Sequence, residues 1–346
     1  KVLLTGNTGF KGSWLTTWLK LCGADVYGYS IGIPTSPSMY LELGLEDRIN
    51  NKYGDIRSQY EFERFFIDTK PDFVFHLAAQ AIVSESYKNP LDTITSNVVG
   101  TTNILKTLSK VDFNCIAVLI TSDKVYENLE WNWGYRENEP MGGFDPYSNS
   151  KGCAELVTGA YRRSFFHQNG IALASVRAGN VIGGGDWALD RIVPDCVRAW
   201  SRGENVELRN PAATRPWQHV LDPCKGYVMT LEMSLTNFNH ANLNFGPNNE
   251  NLTVREVTQI AKPYFPNLKM NFGTSRLSQS KESSYLSLDS SLSLKLLNWT
   301  PSFTQEEAVK MSFAWWRKAL NNKASILELI KIFADNDTNI IPVLNK

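Results

Sequence analysis

A glycine-rich stretch near the start of the chain restricts the possible folds more than any other feature of the sequence. A short apolar strand over residues 2–4 leads directly into Thr5-Gly6-Asn7-Thr8-Gly9-Phe10-Lys11-Gly12, and an amphipathic helix then continues to Gly23. Glycines at this spacing permit a tight turn, close approach of backbone amides to a pyrophosphate, and close packing of the helix on the strand. The stretch therefore predicts a dinucleotide-binding strand-loop-helix unit. A glycine-rich turn that binds no ligand is the alternative.

Strand and helix patterns alternate along the first half of the chain. Apolar strand patterns cover residues 25–30, 72–77, 115–120 and 172–176, and helical patterns cover residues 60–67, 91–108 and 147–168. This alternation is typical of a doubly wound parallel sheet, in which ligands bind outside the carboxyl ends of the strands. The predicted fold class is α/β, a Rossmann-like doubly wound parallel sheet with a smaller C-terminal α/β substrate-binding lobe.

The chain is predicted to divide after Arg177, where the periodicity loosens. Residues 1–178 form the predicted dinucleotide-binding domain, to which later segments return, and residues 179–346 form mainly the substrate-binding lobe. Two clear helices are predicted in this lobe, over residues 253–265 and 305–320. The first of them begins with a capping box made by Thr253 and Glu256.

Bulk composition favours a protein that binds neither nucleic acid nor membranes. Lysine and arginine balance aspartate and glutamate at 35 each, so no strongly charged surface for an anionic partner is indicated. No apolar run reaches the roughly 18 residues that a membrane span needs. The five cysteines are scattered without metal-ligand spacing, which favours a reducing, cytoplasmic compartment. The chain starts inside its first predicted strand, so we expect residues to be missing at its beginning.

The cofactor is predicted to be NAD rather than NADP. Many folds of this kind place an acidic residue about 20 residues after the glycines, where it binds the adenosine ribose. The second predicted strand instead ends at Tyr29 and Ser30, and no arginine lies close to this end to bind a 2′-phosphate. Ser30 is therefore a candidate contact. Asp55 could accept a hydrogen bond from the adenine amino group, and a loop or cap aspartate is an equal alternative.

A tyrosine and a lysine four residues apart form a candidate catalytic pair. Asp145 and Pro146 are typical of an N-cap and a first helical residue. Tyr147 and Lys151 would therefore lie one turn apart on a helix. The ammonium and the positive end of the helix both stabilise phenolate, so a lowered tyrosine pKa is expected. Such a tyrosine can remove a hydroxyl proton while hydride leaves the same carbon; an exposed tyrosine beside a solvated lysine is the alternative.

Other polar residues stand where the predicted fold would present them to a ligand. Three of them follow the strand over residues 115–120 at its carboxyl end, namely Ser122, Asp123 and Lys124. Three arginines in irregular segments could hold a second diphosphate through bidentate contacts. They are Arg191, Arg209 and Arg215, and surface ion pairs are the alternative for each.

The four histidines do not indicate a metal site. His76 lies within an apolar strand and is predicted to be a hydrogen-bonded core residue. The other three are dispersed, and surface or loop positions are predicted for them: His167, His219 and His240. No metal is therefore predicted.

Four motifs together resemble the extended short-chain dehydrogenase/reductase superfamily. They are T-G-x-x-G-F-x-G, L-A-A-Q, T-S-D-K-V-Y and Y-x-x-x-K, and the resemblance covers nearly the whole chain. Within that superfamily, residues 121–128, 177–187 and 213–220 closely resemble the CDP-glucose 4,6-dehydratases. The resemblance implies CDP-glucose as the substrate. The prediction of a cytosine base rests on the resemblance alone.

The resemblance also implies a dehydration without net oxidation. Tyr147 would take the proton from the sugar 4-hydroxyl while hydride passes from C4 to NAD. Ser122 would hydrogen-bond the reacting oxygen, and Lys151 would lower the tyrosine pKa and hold the nicotinamide ribose. A base would then remove the C5 proton, Asp123 would protonate the departing 6-hydroxyl, and hydride would return to C6. The product would be CDP-4-dehydro-6-deoxy-D-glucose.

Lys124 stands where the related thymidine-diphosphate-sugar dehydratases carry glutamate. An ammonium cannot accept a proton, so Lys124 would have to be largely neutral to act as the C5 base. Burial and neighbouring positive charge would lower its pKa, whereas Asp123 would raise it. Alternatively, Lys124 only positions Asp123 or the sugar. Asp123 itself needs a raised pKa to be an acid near neutral pH, and burial would supply it.

The predicted binding residues follow from these motifs. Cofactor contacts are predicted for Gly6, Gly9, Phe10, Gly12, Ser30, Asp55, Ile56, Ala78, Gln80, Asn97, Tyr147 and Lys151. Substrate contacts are predicted for Gln80, Asn180, Arg191, Arg209 and Arg215. The resemblance further implies a homodimer through the helices over residues 91–108 and 147–168, or a homotetramer made of two dimers. It also implies a role in deoxysugar synthesis for O-antigen lipopolysaccharide.

Three alternatives remain open from the sequence. A nucleotide-sugar 4-epimerase would share the Tyr147 and Lys151 step but would not need the Asp123 and Lys124 pair for elimination. A dehydratase acting on another nucleotide hexose would need all four residues. A non-catalytic NAD(P) sensor could dispense with Tyr147 and Lys151 altogether, so their presence favours an enzyme.

Overall fold

Eleven strands form one large sheet and two small ones in the computed structural model, which describes residues 1–166, 171–208, 210–236, 242–248, 251–272 and 285–320. In chain order they are β1 (Val2–Thr5), β2 (Val26–Ser30), β3 (Asn50–Tyr53), β4 (Phe73–His76), β5 (Cys115–Ile120), β6 (Ile171–Ala178), β7 (Val181–Ile182), β8 (Asn205–Leu208), β9 (Gln218–His219), β10 (Asn242–Phe245) and β11 (Lys269–Phe272). The large sheet has the order β10-β6-β5-β4-β1-β2-β3, and every neighbouring pair is parallel. The predicted Rossmann-like doubly wound sheet is therefore confirmed.

Helices cover both faces of the large sheet and pack against the two small sheets. They are α1 (Phe10–Leu21), α2 (Met39–Glu42), α3 (Gln59–Thr69), α4 (Val83–Lys88), α5 (Pro90–Ile94), α6 (Gly100–Leu108), α7 (Pro146–Phe165), α8 (Ile192–Ser201), α9 (Leu221–Thr236), α10 (Val254–Ile260), α11 (Ser291–Leu297) and α12 (Gln305–Ala319). None of the helices in the described ranges is long and apolar enough to cross a lipid bilayer.

Successive side chains of the strands point into two apolar clusters on opposite faces of the sheet. On β1, Leu3 belongs to one cluster and Leu4 to the other, and on β5 Ala117 and Val118 divide in the same way. Helices α3 and α6 complete the first cluster, while α1 and α9 complete the second. Strands buried on both faces must be apolar throughout, which is why β5 and β6 were readable from the sequence.

The second half of the chain contributes to the large sheet and forms both small sheets. Strand β10 pairs with β6 at the edge of the large sheet, and α9 packs against β5 and β6. The small sheets pair β8 with β11 and β7 with β9. Thr253 caps α10 and Glu256 completes the capping box, as predicted, although this helix ends at Ile260, before the predicted end.

Two features of the first half were not predicted. Strand β3 has the sequence Asn50-Asn51-Lys52-Tyr53 and lies at the edge of the sheet, where one side is solvated and no apolar run is needed. The predicted helix over residues 91–108 is interrupted by a π-helical turn at Thr95–Val99, between α5 and α6. Turns of this type often occur at functional sites.

Candidate active site

The glycine-rich loop packs tightly on the sheet and leaves one side open. Gly6 has φ of +74°, and a Cβ there would lie 2.7 Å from the Ala78 nitrogen. A Cβ at Gly12 would lie 2.1 Å from the Gly6 oxygen, whereas one at Gly9 would meet nothing closer than 3.5 Å. Gly9 is also the N-cap of α1, so no side chain at the N-cap position accepts a hydrogen bond from the first amides of the helix. The first amides of α1, beginning at Phe10, therefore face a space that suits an anionic group.

Polar side chains of the glycine-rich loop, β2 and β3 hydrogen-bond one another. Ser30 donates its hydroxyl to Asn7 Oδ1 at 2.7 Å, and Asn7 Nδ2 donates to Asn51 Oδ1 at 2.8 Å. Asp55 accepts from the backbone and side chain of Arg57, both at 2.8 Å. These Arg57 contacts, working against burial, hold the pKa of the Asp55 carboxyl below its usual value. Its contact with adenine stays a prediction.

The loop after β4 is joined to two helices by Asn97. This residue lies in the π-helical turn and is buried. Its Oδ1 accepts from the Gln80 backbone nitrogen at 2.8 Å, and its Nδ2 donates to the Gln80 oxygen and to Ser150 Oγ of α7. The side chain of Gln80 is used as well, because its Nε2 donates to the Ile82 oxygen and to Thr93 Oγ1. The contacts of Gln80 therefore stabilise the conformation of the loop after β4, which borders the site.

Ser122 and Asp123 stand at the carboxyl end of β5, as predicted. Ser122 donates its hydroxyl to Asp123 Oδ1 at 2.9 Å and accepts from the Lys124 backbone nitrogen at 3.3 Å. Asp123 is 2% exposed, and its Oδ2 has no hydrogen-bond partner among the described residues. Burial raises the pKa of Asp123, although the charges of Lys124 and Arg215 oppose this.

The backbone after β6 forms the wall beside Asp123. A Cβ at Gly179 would lie 2.6 Å from Pro216 Cγ and 3.3 Å from Asp123 Oδ2. Asn180 follows, and its carbonyl accepts from the Gln218 nitrogen at the start of β9. Only glycine fits at position 179 with Asp123 and Pro216 this close.

Helix α7 begins where the sequence predicts and places Tyr147 and Lys151 one turn apart. Asp145 caps the helix by accepting from the Ser148 nitrogen at 2.9 Å, and Pro146 occupies the first turn. Tyr147 and Lys151 are 8% and 7% exposed, so the alternative of an exposed pair is excluded. Both face the interior rather than the solvent.

The pKa of Tyr147 shifts in the direction opposite to the predicted one. Burial, with a smaller contribution from the charge of Asp123, raises the pKa of Tyr147 to about 12, although the Ser122 hydroxyl and Arg191 act in the opposite direction. The stabilisation expected from Lys151 is weakened because burial and the charge of Lys11 lower the pKa of Lys151 itself to about 7. Desolvation of the phenolate therefore outweighs the effects that the sequence revealed.

Lys11 belongs to the same cluster of charges and was missed by the sequence reasoning. It stands at the second position of α1, inside the glycine-rich motif, where only the glycines were interpreted. Burial and the nearby charge of Arg191 lower its pKa to about 8, while Asp123 and Asp186 act in the opposite direction. The signal available was its position in the first turn of a helix that the glycine-rich motif predicts to face a ligand.

Two of the three predicted substrate arginines border this cluster. Arg191 forms an ion pair of 3.3 Å with Asp186, and its side chain is 33% exposed. Arg215 is 6% exposed and lies close enough to Asp123 to lower its pKa. Arg209 lies outside the described residues. The site is therefore bordered by positive groups from the second half of the chain, which suits a phosphate-containing ligand.

The histidine predictions were right for one residue and wrong for another. His76 contacts Thr5 Oγ1 at 2.7 Å and Thr101 Oγ1 at 3.1 Å, which confirms a satisfied core position. His219 is fully buried in β9, at 5.7 Å between ring centroids from Trp14, so the predicted surface or loop position is wrong. Burial lowers its pKa to about 3. His167 and His240 lie outside the described residues.

The fold and these residues together define a class of protein. A doubly wound parallel sheet carries a glycine-rich loop at its first strand, and a buried serine, tyrosine and lysine at the end of β5 and the start of α7. This is the arrangement of a short-chain dehydrogenase/reductase of the extended class, as the sequence motifs indicated.

Comparison with known proteins gives the family within this class. The chain belongs to the GDP-mannose 4,6-dehydratase family, whose model matches residues 3–312. A CDP-glucose 4,6-dehydratase of Salmonella typhimurium is 45% identical over 329 residues, which cover 92% of this chain and 91% of the relative.

Solved structures share the fold over nearly the whole chain. The dTDP-glucose 4,6-dehydratase DesIV of Streptomyces venezuelae, solved with NAD bound, has a TM-score of 0.78 and 21% identity, covering 93% of this chain and 98% of DesIV. A UDP-glucose 4-epimerase of Thermotoga maritima, solved with UDP-glucose, has a TM-score of 0.79 and 21% identity, covering 92% and 99%. Dehydratases and epimerases thus share this fold.

Proposed function

We propose that this chain is a CDP-glucose 4,6-dehydratase, which converts CDP-D-glucose to CDP-4-dehydro-6-deoxy-D-glucose and water. The observation that carries the proposal is the carboxyl of Asp123, which is buried, has a raised pKa and leaves Oδ2 without a partner among the described residues. Such a group suits an acid that protonates a departing hydroxyl. The 45% identity to the Salmonella enzyme supports CDP-glucose as its substrate.

NAD is the proposed cofactor, and the glycine-rich loop fits it. The close packing at Gly6 and Gly12, the open side at Gly9 and the free first turn of α1 form a cradle for a pyrophosphate. Lys151 and Tyr147 would border the nicotinamide end of the same site. When bound, NAD would take hydride from C4 of the sugar, return it to C6, and carry a positive charge in its oxidised form. DesIV, which shares the fold, was solved with this cofactor.

Tyr147 is proposed to remove the proton from the sugar 4-hydroxyl. Because burial raises its pKa to about 12, the phenol is neutral until positive charge is brought beside it. The positive charge of bound oxidised NAD, together with protonated Lys151 one turn along α7, would supply that charge. Ser122, which already donates to Asp123, is placed to hydrogen-bond the same sugar oxygen.

Asp123 and Lys124 are proposed to carry the elimination that follows. Oxidation at C4 makes the C5 proton acidic, so that a base can remove it. Asp123 donates its proton to the 6-hydroxyl, which leaves as water. Lys124 adjoins Asp123 in the same short turn and, as the neutral amine, is the proposed base at C5. Arg191 and Arg215, from the smaller lobe, are proposed to hold the diphosphate.

A single isotope experiment tests this sequence of steps. CDP-glucose carrying deuterium at C4 is incubated with the protein and NAD, and the product is examined by mass spectrometry and NMR. We expect the deuterium at the C6 methyl group, because the hydride that leaves C4 returns two carbons away. A Lys124→Ala variant should keep oxidation at C4 while slowing exchange of the C5 proton with solvent; equal loss of both steps would show that Lys124 only positions its neighbours.

Other outcomes of the same experiment identify the alternatives. A hexose with inverted C4 and no loss of water would show an epimerase. Dehydration of another nucleotide hexose in place of CDP-glucose would show a dehydratase with a different substrate. Binding of NAD with no turnover of any sugar nucleotide would favour the sensor.

A homodimer is proposed through the face built by α5, the π-helical turn and α7, which pack against one another. Large apolar side chains on this face are exposed to solvent, and a second copy could cover them. They are Leu91, Ile94, Val99 and Leu156. We propose a cytoplasmic location and a role in deoxysugar synthesis for O-antigen lipopolysaccharide; the free cysteines support the location.

Sedimentation of a Leu156→Glu variant tests the assembly. Leu156 is 60% exposed in the single chain, so a charge there should leave the fold intact and weaken the contact between copies. We expect the wild-type chain to sediment as a dimer or a tetramer and the variant to shift toward the monomer. A wild-type monomer at micromolar concentration would contradict the proposal. Leu235→Glu, an exposed leucine on α9, is the matched control.

A further inference from the structure

A buried ion pair lies next to the catalytic residues. Arg177 of β6 donates to Glu155 of α7 through two hydrogen bonds of 3.0 Å, from Nε to Oε1 and from Nη2 to Oε2. The two side chains are 0% and 1% exposed. A double contact of this kind holds both side chains in one geometry. Glu155 also lies one turn after Lys151, on the same side of α7.

The ion pair contacts both ends of the segment of residues 121–126, which follows β5 and contains three of the catalytic candidates. At its start, Thr121 donates its hydroxyl to Glu155 Oε1 at 2.5 Å. At its end, the Tyr126 hydroxyl accepts from Arg177 Nη1 at 2.7 Å. The residues between these two contacts are Ser122, Asp123 and Lys124.

The remaining groups of the network are satisfied by neighbouring strands. Glu155 Oε2 accepts from Ser175 Oγ at 2.7 Å, and Tyr126 donates its hydroxyl to Asn244 Oδ1 at 2.8 Å. The guanidinium carbon of Arg177 lies 5.1 Å from the centre of the Tyr126 ring. A buried network in which each member has its partners is rigid, and each lost partner is costly because water does not replace it.

We propose that Glu155 and Arg177 form a positioning pair that holds residues 121–126 against the start of α7, so that Ser122 and Asp123 keep their places beside Tyr147. The pair is fully buried and acts through the segment it holds rather than by contact with the sugar or the cofactor. This inference rests on the proposed function, because it assigns the pair to the same set of catalytic residues.

The charge of Glu155 gives the proposal a second, electrostatic consequence. Burial and the charge of Lys11 together lower the pKa of Lys151 to about 7, although the charge of Glu155 acts in the opposite direction. The other charged or titratable groups that face Lys151 or Glu155 are His76, Arg162 and Arg177. Removing the carboxylate of Glu155 should therefore lower the pKa of Lys151 further, so that its ammonium is lost at a lower pH.

Thr121→Val tests the mechanical part without disturbing the ion pair. Valine removes the hydroxyl that holds the start of the segment and retains a similar shape. We expect kcat to fall about 10- to 100-fold with little change in KM, because displacing a catalytic group by about 1 Å costs a factor of this order. Thr158→Val is the matched control. Thr158 is buried like Thr121 but lies in α7, where its hydroxyl donates to the Ala154 oxygen of the same helix.

Tyr126→Phe releases the other end of the segment and should lower kcat in the same way. Glu155→Gln tests the electrostatic part, because glutamine keeps the shape and removes the charge. We expect the alkaline limb of the profile of kcat against pH to move to lower pH. Acetylation of Lys151 by acetic anhydride, followed by mass spectrometry as a function of pH, should reach half-labelling at a lower pH than in the wild type. This readout requires no turnover.

The outcomes separate this proposal from the proposed function. Wild-type kcat in folded Thr121→Val and Tyr126→Phe variants would overturn the positioning pair, and so would an equal loss in Thr158→Val. If Glu155→Gln does not fold, the two hydroxyl variants decide. If the wild-type chain does not convert CDP-glucose, the proposed function is wrong, and the labelling of Lys151 in Glu155→Gln still decides the present proposal: an unchanged labelling curve overturns it.

Discussion

Tyr147→Phe is expected to lower kcat by about 10²- to 10⁴-fold, the range typical of losing a general acid or base. Tyr147 is 8% exposed at the start of α7, and phenylalanine fills the same space, so the fold and the cofactor site should be retained. The variant lacks the oxygen that accepts the proton of the sugar 4-hydroxyl. Turnover is measured from the ultraviolet absorbance that 4-keto-6-deoxy sugars develop in alkali, with CDP-glucose as substrate.

Tyr161→Phe is the control for this prediction. Tyr161 lies on the same helix and packs against Phe165 and Phe166, away from Ser122 and Asp123. Its hydroxyl has no place in the proposed reaction, so this variant should keep wild-type kcat. A loss of less than about tenfold in Tyr147→Phe would contradict the role of this residue as the base.

Asp123→Asn should separate the two halves of the reaction. Asparagine has the same shape and can still accept from Ser122, but it has no acidic proton for the departing 6-hydroxyl. We expect oxidation at C4 to continue while product formation falls about 10²- to 10⁴-fold. Reduced cofactor should therefore accumulate in a single turnover, which its absorbance in the near ultraviolet reports.

The pH dependence of the wild type gives an independent check on Asp123. Burial raises the pKa of this carboxyl, so the acid form persists to a higher pH than for an exposed aspartate and is lost as the pH rises through the raised value. Elimination should slow over that range, and the dependence should vanish in Asp123→Asn. Asp112→Asn, at an exposed position, is the control. Product formation at the wild-type rate by Asp123→Asn would rule out Asp123 as the acid.

The sequence was informative where local chemistry decides the structure. The glycine-rich loop, the Asp145 cap with Pro146, and the fully apolar strand β5 all follow from short-range preferences. They were enough to place Tyr147 and Lys151 one turn apart and to put Ser122 and Asp123 at the end of a strand.

Properties that depend on distant parts of the chain were not predictable in the same way. The pKa of Tyr147 was expected to be lowered, because the sequence shows the neighbouring lysine and the helix end but does not show burial. His219 was placed at the surface or in a loop for the same reason, since its burial comes from packing between Trp14 and Phe303. The partners Glu155 and Arg177 are 22 residues apart and lack any local signature.

The pairing of β10 with β6 has a consequence for the synthesis of this protein. The contact between Tyr126 and Asn244 joins positions 118 residues apart, so the catalytic segment is not fully supported until the chain is synthesised beyond residue 244. Contacts this distant along the chain form slowly, because a long loop must close first. A ribosome-bound fragment that ends before β10 should therefore contain every proposed catalytic residue and still be inactive, so the growing chain acquires activity only late in translation.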